Sequence, residues 1–439
     1  MSQIVVRPNG PLEGTLQVGG AKNSALKLMA ASLLAEGEYH LRNVPSITDV
    51  DTMAELLACM GVAVTRPAPH EVILRRGADC GYEAPYELVE RMRASIVVLG
   101  PLLGRMGRAR VAMPGGDDFG SRPIDMHLSG LEQMGATFEV RHGYIEATAD
   151  QLLGARIVLE FPSVGATENL LLAAVLAKGT TIIENAAREP EIADLAAFLN
   201  RMGALIVGAG TSTIEVEGVE ELEPADHTVI PDRIEAATYL AALALAGGEI
   251  TIEGARPDHM DMFIRKLGDM GMRIAPSSSG LWAFANRRLT SVDVSTLPYP
   301  GIATDYKPLF VTMLSVAEGI AIVTENLFAG RFRYVSELIR MGADIRTEGR
   351  HAVVRGVGRL SGAPVRASDI RAGAALVVAG LAAEGETVVA DAEHIDRGYE
   401  DLPGRLRSLG AKVFRSDDAS DAGEAVADAD AVTEVDNGG

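Results

Sequence analysis

Six short polar clusters stand at matching places along this 439-residue chain. They are Lys22-Asn23, Arg93-Ala94-Ser95, Ser163-Val164-Gly165, Asp232-Arg233, Thr304-Asp305 and Asp369-Ile370-Arg371. Each opens an apolar stretch that closes on a glycine. From Lys22, Arg93, Val164, Arg233, Asp305 and Arg371 to Gly37, Gly107, Gly179, Gly248, Gly319 and Gly385 is 14 or 15 residues every time. That constancy makes the positions equivalent. A helix N-terminus carries unpaired N–H groups and partial positive charge, so it attracts anions. Six such ends facing one cleft would build a site for phosphates and carboxylates. The plainer alternative is that Asp232, Asp305 and Asp369 cap their helices and that the cations are solvated. For any single residue both readings stand; the repetition favours a shared site for the set.

The elements that must position these clusters also repeat. LLACMGVAV, LEQMGATFEV, LNRMGALIV, LGDMGMRIA, LIRMGADIR and LRSLGAKVF carry Gly61, Gly135, Gly203, Gly271, Gly342 and Gly410 at separations of 74, 68, 68, 71 and 68 residues. A near-constant period points to one supersecondary unit used six times. In the first copy Thr48 and Asp51 read as a capping-box start. Val50, Met53, Leu57 and Met60 then share one helical face, and Gly61 ends the helix in a positive-φ conformation. The sixth copy repeats the stripe with Leu402, Leu406 and Leu409. The Ala/Leu-rich stretches, by contrast, are apolar on most faces, as in LLAAVLAKG and LVVAGLAAEG. Such helices belong in a core. The expected architecture is α/β with helices inside, sheets outside, and three units in each of two domains.

Composition narrows the function. The formal charge is −20, with 40 basic and 60 acidic residues. Eight of the acids and no base lie between Ser416 and the end, which predicts a disordered acidic tail over 416–439. This balance disfavours nucleic-acid binding, which needs net positive surface; anionic ligands must be met by locally placed arginines. Cys59 and Cys80 form no CxxC pair, and the eight histidines form no HxH or HExxH cluster, so no metal site is expected. No apolar run approaches the ~18 residues of a membrane span, and MSQIVVRPNG does not read as a secretory signal. The expected location is the cytoplasm, with no membrane partner.

GGAKNSALKLMAASLLAEG, MRASIVVLGPLL, PGGDDFGSRPIDMHLSGLEQMGA, PSVGATENLLLAA, NAAREPEI, PDRIEAATYL, SDIRAGAALVVAGL and HIDRGYEDL occur in that order. Together they resemble the UDP-N-acetylglucosamine 1-carboxyvinyltransferase family, collinearly from about residue 3 to 415. The resemblance implies two inside-out α/β barrel-like domains, each of three repeated β/α units. It implies one domain over 22–230 with a mobile loop at 114–122, and a split domain of 1–21 plus 231–415. The implied reaction moves enolpyruvyl from phosphoenolpyruvate to the 3-hydroxyl of UDP-N-acetylglucosamine, the first committed step toward peptidoglycan precursors. It proceeds by addition–elimination through a tetrahedral ketal, releases phosphate and needs no cofactor.

Carried onto this chain, the resemblance gives Lys22 and Asn23 contacts to phosphoenolpyruvate and the sugar. Arg122, Arg331 and Arg397, with Arg371 nearby, become phosphate or carboxylate ligands; the arginine fork suits oxyanions. Asp305 becomes the base. Arg93, Arg122, Pro123, Ile124, Asp125, Met126, His127, Ser163, Val164, Gly165 and Leu327 match nucleotide and sugar contacts, with a purely structural His127 as an equal alternative. Asp369 and Glu189 become partners of the arginines.

Three segments depart from the family pattern. Asp117 stands where many members carry the loop cysteine that fosfomycin alkylates, which implies a carboxyl proton donor and resistance. ATDYKPLF at 303–310 lacks the usual glutamine, and LFAGRFRYV at 327–335 has Ala329-Gly330 where Glu-Asn is common. The last two leave other acceptors open: another uridine nucleotide, or a catalytically silent binding protein.

Overall fold

The computed structural model describes residues 2–8, 10–115, 124–328 and 330–416. The acidic run from 417 onward and most of the 114–122 loop lie outside the described residues.

Each repeat builds the same four-stranded sheet. In the third unit, Arg156–Val158 pairs parallel with Thr180–Glu184, which pairs antiparallel with Thr213–Glu217, and Leu205–Val207 closes the edge. The same order recurs in five other sheets, but three of those borrow a strand from elsewhere. Gln3–Arg7 sits between Thr387–Ala390 and Lys412–Arg415 of the sixth unit. Leu12–Gln17 runs parallel to Gly248–Glu253 of the fourth. His227–Thr228 runs parallel to Gly37–Arg42 of the first. The glycines that mark the period, Gly61, Gly135, Gly203, Gly271, Gly342 and Gly410, all have positive φ. Each lets the chain reverse from helix into edge strand without a Cβ clash.

The apolar helices lie inside, as their sequences require. Every residue of Ile370–Leu381 is buried, as are twelve of Arg233–Ala246 and all of Lys307–Leu314; these three pack on one another. Together with residues from 4–18 they form one hydrophobic core. A second core gathers residues between 21 and 229, around Lys22–Ala31, Leu99–Met106 and Val164–Ala174. Sheets wrap both cores with alternating buried and exposed residues, as in Thr213–Glu217. This is the two-domain, six-repeat α/β architecture expected from the period.

One local expectation fails. Thr48 is not a cap: the helix Thr48–Cys59 starts at Thr48 itself, Ile47 occupies the cap position, and no side chain caps it. The hydroxyl expected to do so would belong one residue earlier. Thr48 instead leaves its carbonyl to the Thr52 hydroxyl.

Candidate functional site

Two chain crossings connect the halves, and they run side by side. Gly20 bridges Pro231, Ala21 N donates to Ile230 O, and Asp232 N donates to Gly19 O. A Cβ at Gly20 would stand 1.7 Å from the Asn43 carbonyl, so only glycine permits this approach. The crossings place two helix N-termini together. Asp232 caps its own helix through Oδ1, to Ile234 N and Glu235 N, while Oδ2 accepts from Lys22 N at 3.1 Å. One carboxylate thus serves the first turn of both helices.

From Lys22 the charges continue as a network. Its Nζ lies 2.6 Å from Asp49 Oδ2, and Arg397 Nε reaches the other oxygen of Asp49 at 2.9 Å. Burial lowers the Lys22 pKa from its ordinary 10.5; Asp49 opposes that shift and Arg371 and Arg397 reinforce it. Burial would raise Asp49, but Lys22 and Arg397 outweigh it and hold the carboxyl below 3.8. On the far side, Asp305 Oδ1 accepts from Arg331 Nη2 at 3.0 Å and faces Arg371 Nε at 3.5 Å. Burial again pushes upward and loses: Arg331 and Arg371 hold the Asp305 carboxyl far below the usual range. About a third of that side chain remains open to solvent, whereas Arg331 and Arg371 are buried. Arg371 Nη1 is buried with no hydrogen-bond partner among the described residues, and its guanidinium stands 5.4 Å from the centre of the Tyr399 ring.

Arg233 extends the network across the halves, with Nε 3.0 Å from Glu191 Oε1 and Nη1 3.3 Å from the Tyr306 hydroxyl. Its hydrogen-bonded carboxylate partner is Glu191, while the Glu189 carboxylate accepts from Arg188 N and lies within reach of the Arg233 charge. Of the three aspartates weighed as caps, Asp232 and Asp369 are caps and Asp305 is not. The helix after Asp305 begins at Lys307, which frees its carboxylate for the arginines. Asp369 caps through Oδ1 and its charge also acts on Arg331.

A second group lies in the other half. His127 is buried at the start of Asp125–Gln133, where its Nδ1 meets Asn169 Nδ2 at 2.8 Å. The amide nitrogen can only donate, so Nδ1 accepts and Nε2 carries the proton. Burial, then the nearby Arg93 charge, push the His127 pKa down to about 4, which keeps it neutral. Its Nε2 edge faces Gly165; a Cβ there would come within 3.0 Å of the ring. Ser163 caps the Val164–Ala174 helix. Arg93, Asp125 and Gly165 thus gather around His127, beside the buried Ile124 and half-buried Met126. Asn23 is half-buried next to Lys22. Leu327 is tied by its amide to Glu325 Oε1. Asp117, Arg122 and Pro123 lie outside the described residues.

The sequence reading missed Asp49. Its signal was present: in TDVDTMAELL an acid sits at the position four before Met53 and seven before Leu56, on the buried stripe. It also missed Tyr306 and the Ser24–Asp194–His227 contacts that brace the Lys22 helix, in which Asp194 takes the Ser24 hydroxyl at 2.5 Å and His227 at 2.8 Å. No group of three or more His, Cys, Asp or Glu suited to a metal occurs among the described residues, and no described helix is long and apolar enough to cross a membrane. A cavity of about 900 Å³ opens at the C-terminal ends of the first core's helices, by Ala246, Val316 and Leu381. There Arg288 is already bonded to the Val316, Ala317 and Val357 carbonyls, so the ion network is the better site.

Residues 6–406 match the family described as EPSP synthase (3-phosphoshikimate 1-carboxyvinyltransferase). UDP-N-acetylglucosamine 1-carboxyvinyltransferase 1 of Caldanaerobacter subterraneus is 50% identical over 414 residues, covering 94% of this chain and 99% of that protein. The Nocardia farcinica protein of the same name is 51% identical over 418 residues, covering 94% and 98%. Among solved structures, the enolpyruvyl transferase NikO from Streptomyces tendae superposes with a TM-score of 0.84 at 25% identity, covering 94% of this chain and 99% of that one. EPSP synthase from Acinetobacter baumannii, at 18% identity and TM-score 0.71, shares the fold over 95% of this chain and all of its own. With that fold and a cationic network between its halves, the chain belongs to the enolpyruvyl transferase family, in the group of UDP-N-acetylglucosamine 1-carboxyvinyltransferases.

Proposed function

We propose that the protein transfers enolpyruvyl from phosphoenolpyruvate to the 3-hydroxyl of UDP-N-acetylglucosamine and releases phosphate. The observation that carries this reading is the convergence of Lys22, Arg331, Arg371 and Arg397 around Asp49 and Asp305 in a chain half identical to enzymes of that name. The cations suit the phosphate and carboxylate of phosphoenolpyruvate. Asp305, ionised and partly open, takes the acceptor proton as the sugar oxygen bonds to C2 and C3 gains a proton. Loss of a C3 proton and cleavage of the C2–O bond to phosphate then restore the double bond. Positioning and preorganised charge supply the rate.

Asp305 starts as a weak base because two arginines hold its proton affinity down. Bound phosphoenolpyruvate would share those arginines and raise it, so the base strengthens only when the co-substrate is present. His127 with Arg93 and Ser163–Gly165 is assigned to the nucleotide. Asp117 is assigned as proton donor to C3, which requires it to be protonated at working pH.

A second acceptor reading, another uridine nucleotide, is favoured by the Tyr306-Lys307-Pro308 and Ala329-Gly330 departures. The deciding assay follows phosphate release from phosphoenolpyruvate with UDP-N-acetylglucosamine, UMP or shikimate 3-phosphate. Release with the sugar nucleotide alone is the expected result. Release with UMP alone selects the second reading, and binding without release identifies a silent protein.

A further inference from the structure

Lys307 is a lysine with no exposed surface, at the first position of a helix, where the backbone already carries partial positive charge. A buried cation at that end is costly unless it is paired and fully bonded. Its pairing is extensive. Nζ lies 2.9 Å from Glu325 Oε2, donates to the backbone carbonyl of Arg331, and stands 3.9 Å from the centre of the Phe332 ring. Glu325, equally buried, is a hub. Oε1 accepts from Thr296 Oγ1 at 2.8 Å, Leu327 N at 2.8 Å and Phe328 N at 3.1 Å, while Oε2 accepts from Thr304 Oγ1 at 2.7 Å.

These bonds lead directly to the reacting groups. Thr304 Oγ1 also receives Arg331 Nη1 at 3.0 Å, and Arg331 Nη2 holds Asp305 Oδ1 at 3.0 Å. Lys307 therefore binds both Glu325 and Arg331 from a position two residues beyond Asp305. We infer that Lys307 is a positioning residue whose ammonium staples Glu325 to the Arg331 backbone and so holds the Arg331 guanidinium on Asp305. The inference rests on the enolpyruvyl-transfer reading of Asp305 and Arg331. It assigns a task to a lysine in the segment that departs from the family pattern. Lys307 touches neither substrate nor reacting atom; it acts through Arg331.

Two variants and two readouts test it. Lys307→Met removes the staple but strands a buried Glu325 anion, so it can also fail to fold. Lys307→Met/Glu325→Gln removes both charges and keeps, in its one amide oxygen, a neutral acceptor for Thr296 and the two amides, while its NH2 faces Thr304 as a donor. Misplacing a catalytic group by about 1 Å costs on the order of 100-fold. The expected result for both variants is a kcat lowered about 100-fold, with the KM for UDP-N-acetylglucosamine changed less than roughly twofold, since the nucleotide is held elsewhere. Amide exchange at Leu327 and Phe328 should accelerate in both. The double variant should recover the melting temperature without recovering kcat. Wild-type kcat in the double variant, or unchanged exchange at both amides, overturns the inference. If the wild-type protein releases no phosphate with this acceptor, the acceptor reading has failed instead. Exchange at Leu327 and Phe328 and calorimetric binding of phosphoenolpyruvate to wild type and double variant then decide the staple. Unchanged values in both measurements refute it.

Discussion

Arg397 Nε stands 2.9 Å from Oδ1 of Asp49, 348 positions earlier in the chain, and so ties one half of the molecule to the other. Asp49 gives its second oxygen to Lys22. Two cations proposed to bind anions are thus both paired with one buried carboxylate.

Removing that carboxylate should be severe. Asp49→Ala takes the shared anion away from the buried Lys22 and the half-buried Arg397, with an expected loss on the order of 100-fold in kcat/KM. Steady-state kinetics against both substrates checks this. The sign with pH follows from the depressed Asp49 pKa. Its stabilising contribution is fully present above the ordinary 3.8 and disappears as pH falls through the lower folded value. Wild-type and Asp49→Asn melting temperatures should therefore converge only below about pH 4.

Asp305 should show a pH signature that depends on phosphoenolpyruvate. Arg331 and Arg371 depress its pKa, so the acid limb set by the free enzyme, in kcat/KM, should lie below the ordinary carboxylate range. Once phosphoenolpyruvate shares the arginines, the acid limb of kcat should appear at higher pH. Coincident limbs would contradict the coupling. Asp305→Asn should lower kcat by about 100- to 10,000-fold while UDP-N-acetylglucosamine still binds.

His127 is neutral and faces Gly165, so it is assigned to recognition rather than proton transfer. His127→Gln should raise the KM for the nucleotide sugar about tenfold and leave kcat within roughly twofold. Stability supplies an independent check. The folded pKa of about 4 lies below the ordinary 6.5, so the unfolded chain takes up this proton first. Wild-type stability should fall relative to His127→Gln as pH drops from 6.5 to 4, by about 3 kcal/mol in all. Thermal melts of the pair across that interval measure it.

Asp117 predicts the response to fosfomycin. A carboxylate is a far poorer nucleophile than a thiolate, so wild-type enzyme should keep its activity after prolonged incubation. Asp117→Cys should become susceptible to time-dependent covalent inactivation, visible by mass spectrometry. Asp117→Asn should lose most turnover; full turnover would remove the proton-donor role.

Much of the architecture was legible because it rests on periodicity. The Gly61-to-Gly410 series and the apolar helices follow from local pattern: a helix such as Ile370–Leu381, apolar on every face, can only be buried. Equivalent starts at Lys22, Arg233 and Arg371 followed from the same count. What the pattern did not carry was pairing. TDVD reads equally as a capped helix start, and the cap assigned to Thr48 was wrong because Ile47 is the residue that enters the turn. Asp305 and Asp369 have similar settings in sequence, yet Asp369 caps its helix and Asp305 meets two arginines.

By itself, then, the sequence determined which stretches are buried and which ends are polar, since those depend on residues three, four or sixty-eight positions apart. Only the tertiary structure decided which polar end meets which. The strands Gln3–Arg7 and Leu12–Gln17 join the far half of the chain, and the 19–22 and 230–232 crossings then lie side by side. Through that closure Asp232 reaches Lys22, Asp49 reaches Arg397 and Arg233 reaches Glu191. Charged partners brought together by folding leave no short-range spacing in the chain, because their distance is set by the packing of separate units.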